Sequence, residues 1–65
     1  MKIVVNGTVQ ETGARTLDDL IEELGRDAAT VATAVNGEFA PRAARGGKPL
    51  RDGDRVEILA PMQGG

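Results

Sequence analysis

Two Asn-Gly pairs, Asn6-Gly7 and Asn36-Gly37, each stand between runs of strand-forming residues, and they constrain this chain more than any other feature. A two-residue type I′ turn needs positive φ at both central positions, and Asn-Gly is a favoured pair for it. Lys2-Ile3-Val4-Val5 and Thr8-Val9-Gln10-Glu11-Thr12 flank the first pair. Val31-Ala32-Thr33-Ala34-Val35 and Glu38-Phe39-Ala40 flank the second. The sequence therefore predicts two hairpins. Strand alternation puts Ile3 and Val5 on one face and Val4 on the other. Pro41 ends the short outer arm of the second hairpin, because proline cannot donate to a continuing ladder.

Between the hairpins the period changes. Leu17, Leu20, Ile21 and Leu24 recur at the spacing of one helix face. Thr16 has an acidic residue, Asp19, three positions on, the pattern of an N-cap, and Gly25 can supply a left-handed stop. Asp18, Asp19, Glu22 and Glu23 fall on the other side and read as a solvated face rather than a metal or acid/base pair. After the second hairpin, Arg42 to Pro49 is the least regular stretch and is expected to be a loop with at most a helical turn near Ala43-Ala44. Its Gly46-Gly47 lacks the spacing and the Ser or Thr of a phosphate loop. Leu50-Arg51-Asp52-Gly53-Asp54 then turns the chain into a last strand, Arg55-Val56-Glu57-Ile58-Leu59, with Val56 and Ile58 on one face.

Two hairpins separated by a helix and followed by one more strand give an α+β domain, a single mixed sheet of four to five strands with the helix on one face. This is the order of a β-grasp, in which the last strand can lie beside the first and release the chain from the middle of the sheet. The core is expected to contain Ile3, Val5, Leu17, Leu20, Ile21, Leu24, Val56 and Ile58. Residues 1–59 form the domain, and 60–65 a flexible tail.

Composition limits what such a domain can do. A chain of 65 residues buries only about 60% of its unfolded surface, which leaves little interior for a pocket. His, Cys, Tyr and Trp are all missing, so the usual general base, thiol nucleophile and soft metal ligands are missing too. Autonomous catalysis is not expected, and neither is a bound metal or cofactor. The net charge of −2 argues against a nucleic-acid partner. Acidic residues gather at Asp18 to Asp27 and basic ones at Arg42, Arg45, Lys48 and Arg51, giving two solvated faces or a means of steering toward a partner. No stretch reads as a signal peptide or membrane span, so the expected location is cytoplasmic.

The chain closes on Ala60-Pro61-Met62-Gln63-Gly64-Gly65. Without Cβ atoms on its last two residues, such an end can lie extended in a channel too narrow for any other residue. The tail could reach roughly 20 Å at about 3.3–3.6 Å per residue. Leu59 and Met62 extend an apolar strip from Val4 across the outer sheet face toward it, and this strip is expected to dock partners.

The combination resembles the sulfur carriers of thiamine biosynthesis, a ubiquitin-like family. The resemblance is carried by Met1 to Gly7, Thr16-Leu17-Asp18-Asp19-Leu20-Ile21, Val35-Asn36-Gly37-Glu38 with Pro41-Arg42, Leu50 to Ile58 and the terminal Gln63-Gly64-Gly65. It implies that the Gly65 carboxylate is adenylated by a ThiF-like partner enzyme, which uses ATP. A persulfide donor then converts it to a thiocarboxylate, and thiazole synthase takes the sulfur. Gly64, Gln63 and Met62 would thread the partner's channel, and the chain would be a protein cosubstrate, monomeric when free. A molybdopterin-synthase-type carrier and a ubiquitin-like protein modifier share the same end. A non-covalent ligand- or RNA-binding β-grasp domain would need no Gly-Gly and would usually present basic or aromatic surface.

Overall fold

The computed structural model describes residues 1–60. Five strands, β1 (Lys2–Val5), β2 (Thr8–Glu11), β3 (Ala32–Val35), β4 (Glu38–Ala40) and β5 (Arg55–Leu59), form one sheet in the order β2-β1-β5-β3-β4. Both Asn-Gly pairs turn their hairpins as expected, with φ of 49° at Asn6 and 52° at Asn36 and 83° at each following glycine. β1 pairs with β2 and β3 with β4, both antiparallel. β5 lies between the two hairpins, parallel to β1 and antiparallel to β3. Strand periodicity places Ile3, Val5, Val35, Val56 and Ile58 on the inner face, where all are buried.

Helix α1 (Leu17–Glu23) covers that face. Thr16 caps it, its side-chain oxygen accepting from the Asp19 amide at 3.2 Å. The helix stops at Gly25, whose φ of +69° lets its amide reach Glu22 O and that of Arg26 reach Ile21 O, the paired bonds of a Schellman end. Leu17, Leu20 and Ile21 are at most 1% exposed. Leu24, expected in the core, instead caps the helix end and is only partly buried at the core's margin. The core also takes Ala14, Val31, Ala40 and Leu50.

The segment after β4 has the helical turn expected near Ala43-Ala44, but the turn extends over most of the expected loop. Arg42–Gly47 forms a 3-10 helix that packs on α1, and the reason is Arg45. Arg45 is 2% exposed, and its guanidinium donates from Nε to Thr33 Oγ1, from one terminal nitrogen to Ala28 O and from the other to Val31 O. A short run rich in glycine has weak propensity, and this buried fork supplies the order that propensity does not. Arg45 thereby leaves the expected basic surface. Arg42 borders a shallow open groove with Asp18, Asp19, Glu22 and Arg26, so the acidic and basic segments meet instead of forming separate faces.

Candidate functional site

Because β5 is the central strand, its C-terminal end sets where the chain leaves the sheet. Leu59 pairs with Ala32, the first residue of β3, and the chain reaches Ala60 from there. Met62, Gln63, Gly64 and Gly65, the expected tail, lie outside the described residues.

Among the described residues no helix lies on the outer face of the sheet, and alternation fixes what that face presents. On β1 and β2, Val4 stands opposite Val9. On β5 the outward residues are Arg55, Glu57 and Leu59, with Val4 beside Arg55. On β3 and β4, Ala32 stands opposite Leu59, Ala34 opposite Glu57 and Phe39 opposite Ala34. Leu59 is 63% exposed, Val9 64% and Phe39 71%, whereas Val4 is half-buried. The two expected docking residues, Val4 and Leu59, line one shallow groove of about 520 Å³. They do not form an unbroken strip, since Arg55 and Glu57 line the groove with them, and these charges lie within the surface rather than at its rim.

Val9 and Phe39 belong to the same face, though expectation did not include them. Their signal was the register of the hairpins. Counting outward from each Asn-Gly turn places Val9 across from Val4 and Phe39 across from Ala34. With Leu59 they are the large apolar side chains that this face exposes most.

Among the described residues, no group of three His, Cys, Asp or Glu side chains is placed to hold a metal ion. The groove between α1 and the 3-10 helix mixes both charges and is open to solvent. A third hollow, near Lys48, Arg51 and Asp54, is smaller, and Asp54 there is engaged in holding the Arg51 amide at 2.8 Å and the Asn36 side chain at 3.1 Å. No helix of the described residues is long and apolar enough to cross a membrane.

A mixed five-stranded sheet with its last strand at the centre and one main helix covering one face defines a ubiquitin-like β-grasp protein. The sequence matches the ThiS family over residues 3–65, and the chain belongs to that family, the sulfur carriers of thiamine biosynthesis. It is 39% identical over 61 residues to the sulfur carrier protein ThiS of Thermus thermophilus, an alignment covering 94% of this chain and 95% of that one. The crystal structure of a thiamine biosynthesis protein (ThiS) from Geobacter metallireducens superposes with a TM-score of 0.83 at 35% identity, covering both chains completely. The solution structure of a thiamine biosynthesis protein from the same organism gives 0.82, covering all of this chain and 88% of that one. A further relative, 38% identical over 66 residues, is a thiazole synthase of Paramagnetospirillum magneticum, of which this chain spans 20%. Members of the family are protein cosubstrates and not catalysts.

Proposed function

We propose that the carboxylate of Gly65 is the group that carries sulfur, and that the folded domain serves to dock and aim it. The observation that supports this reading is the central position of β5, flanked on both sides by paired strands and followed within six residues by Gly64-Gly65. A carboxylate resists nucleophiles because its charge is delocalised and its leaving group would be oxide. A ThiF-like adenylating enzyme removes that barrier. The Gly65 oxygen attacks the α-phosphorus of ATP, pyrophosphate leaves, and the acyl carbon gains AMP as a leaving group. The terminal sulfur of a persulfide then attacks that carbon and expels AMP. A thiol pair next reduces the sulfur–sulfur bond, leaving as its own disulfide and freeing the C-terminal thiocarboxylate. ATP is the partner's cosubstrate and is not held by this chain. Thiazole synthase receives the sulfur from the thiocarboxylate.

In this reading the outer face around Val4, Val9, Phe39 and Leu59 meets the adenylating enzyme while Met62, Gln63 and Gly64 thread its channel. Incubation with ATP, the cognate adenylating enzyme and a persulfide source should raise the intact mass by the difference between sulfur and oxygen. Deleting Gly64 and Gly65 should abolish that gain and leave thermal unfolding unchanged, since both residues lie beyond the last core position, Ile58. A mass gain in the truncated chain would assign the sulfur to another group.

A further inference from the structure

We propose that Asn6 is a positioning residue for transfer, holding the last stretch of β5 on the line from which the tail departs. The proposal rests on the reading that Gly65 is the reacting end.

It follows from the opposite jobs that the topology gives to the two turn asparagines. β1 runs parallel to β5, so the turn after β1 lies toward the outgoing end of β5. β3 runs antiparallel to it, so the turn after β3 lies at its incoming end. Asn36 accordingly grips the start of the strand. Its amide donates to Arg55 O at 2.7 Å, and its side-chain oxygen accepts from Arg55 N at 3.0 Å. Asn6 grips the end. Its backbone amide donates to Val56 O at 2.9 Å, its side-chain oxygen accepts from Ile58 N at 2.8 Å, and its side-chain nitrogen donates to Ile58 O at 3.0 Å.

The reason a side chain is needed there is that β1 ends too soon. Its parallel register pairs Val4 with Arg55 and Val5 with Val56, after which Asn6-Gly7 turns the backbone away toward β2. Ile58, two residues further along β5, would then face that edge with both backbone groups unmet. The Asn6 carboxamide matches a peptide unit in donor and acceptor and stands in for the missing strand residue. Leu59, whose backbone faces the other way, is paired to Ala32 of β3. The last two residues of β5 are thus fixed from both sides, one by a strand and one by a single side chain. What these contacts fix is the end of β5 itself, the point from which the chain continues past Leu59, and holding that point in place relative to the rest of the sheet is a form of pre-organisation.

The test compares Asn6→Gly with Asn36→Gly. Glycine accepts positive φ, so each variant keeps its turn and loses only the carboxamide. Adenylation is followed as pyrophosphate exchange with the cognate adenylating enzyme, at a temperature where circular dichroism shows each variant folded. Asn6 also lines the groove beside Val4 and Leu59, so KM can shift, but the expected result is that Asn6→Gly lowers kcat by about tenfold because the end of β5 is misplaced. Amide exchange at Ile58 should accelerate in the same variant. Asn36→Gly should lower the unfolding midpoint yet leave kcat and KM as they are. Should Asn6→Gly fail to fold, Asn6→Asp replaces it, since aspartate also tolerates the turn and keeps the acceptor for Ile58 N while losing the donor to Ile58 O. An unchanged kcat, a change confined to KM, or an equal loss in Asn36→Gly would each overturn the proposal. Folded wild-type protein that supports no exchange at all would overturn the carrier reading itself, a different result from any of these.

Discussion

Arg45 shows how much a single side chain can organise in a domain of this size. Its three hydrogen bonds join the 3-10 helix to the connection between α1 and β3 and to β3 itself, through Ala28 O, Val31 O and Thr33 Oγ1. Thr33 Oγ1 in turn donates to Ala40 O at 2.8 Å, so one buried network ties four segments together. The planar fork is what meets three acceptors in different directions, and an ammonium cannot reproduce it. Arg45→Lys should therefore lose on the order of 1–3 kcal/mol, the range for a buried group left without its partner. Urea unfolding measures it directly, and an unchanged midpoint would mean that the network is replaceable by water.

At the scale of elements, the helix and the sheet hold each other. α1 has only seven residues, too short to persist alone, so its stability comes from burying Leu17, Leu20 and Ile21 against the inner face. Leu20 is fully buried. Leu20→Ala removes that packing and leaves a cavity, with an expected loss of about 2–5 kcal/mol. That is a large share of the stability of a small domain. Thermal or chemical unfolding of the variant supplies the number, and a loss of less than about 1 kcal/mol would show a core that collapses to fill the gap.

For the whole molecule, the important fact is that its two faces differ. The inner face is sealed by α1 and the 3-10 helix, while the outer face leaves Val9, Phe39 and Leu59 largely exposed beside Arg55 and Glu57. If this face is where the adenylating enzyme docks, an unpaired charge placed within it becomes costly on binding. Leu59→Asp and Phe39→Asp should weaken the complex chiefly through faster dissociation. Neither should unfold the protein, since both side chains point to solvent. Surface binding kinetics with folded variants checks this, and wild-type dissociation rates in both would move the docking site to another face.

The features legible along the chain were local: two Asn-Gly turns, a capped helix with its apolar stripe, and a last strand whose alternating residues name their own faces. Each rests on contacts between near neighbours, whose spacing is printed in the chain. The order of Arg42–Gly47 was not legible, because Arg45 finds Ala28, Val31 and Thr33 only once the chain has folded back on itself. Nor was the breadth of the outer face, which joins Val9 to Val4 and Phe39 to Ala34 across hairpins and then brings the hairpins together through β5. The clamp of Asn6 on Ile58 spans 52 positions of sequence and exists only because β5 enters between β1 and β3. The sequence could mark that asparagine as a turn residue, but only the tertiary structure could bring the end of the last strand within reach of its side chain.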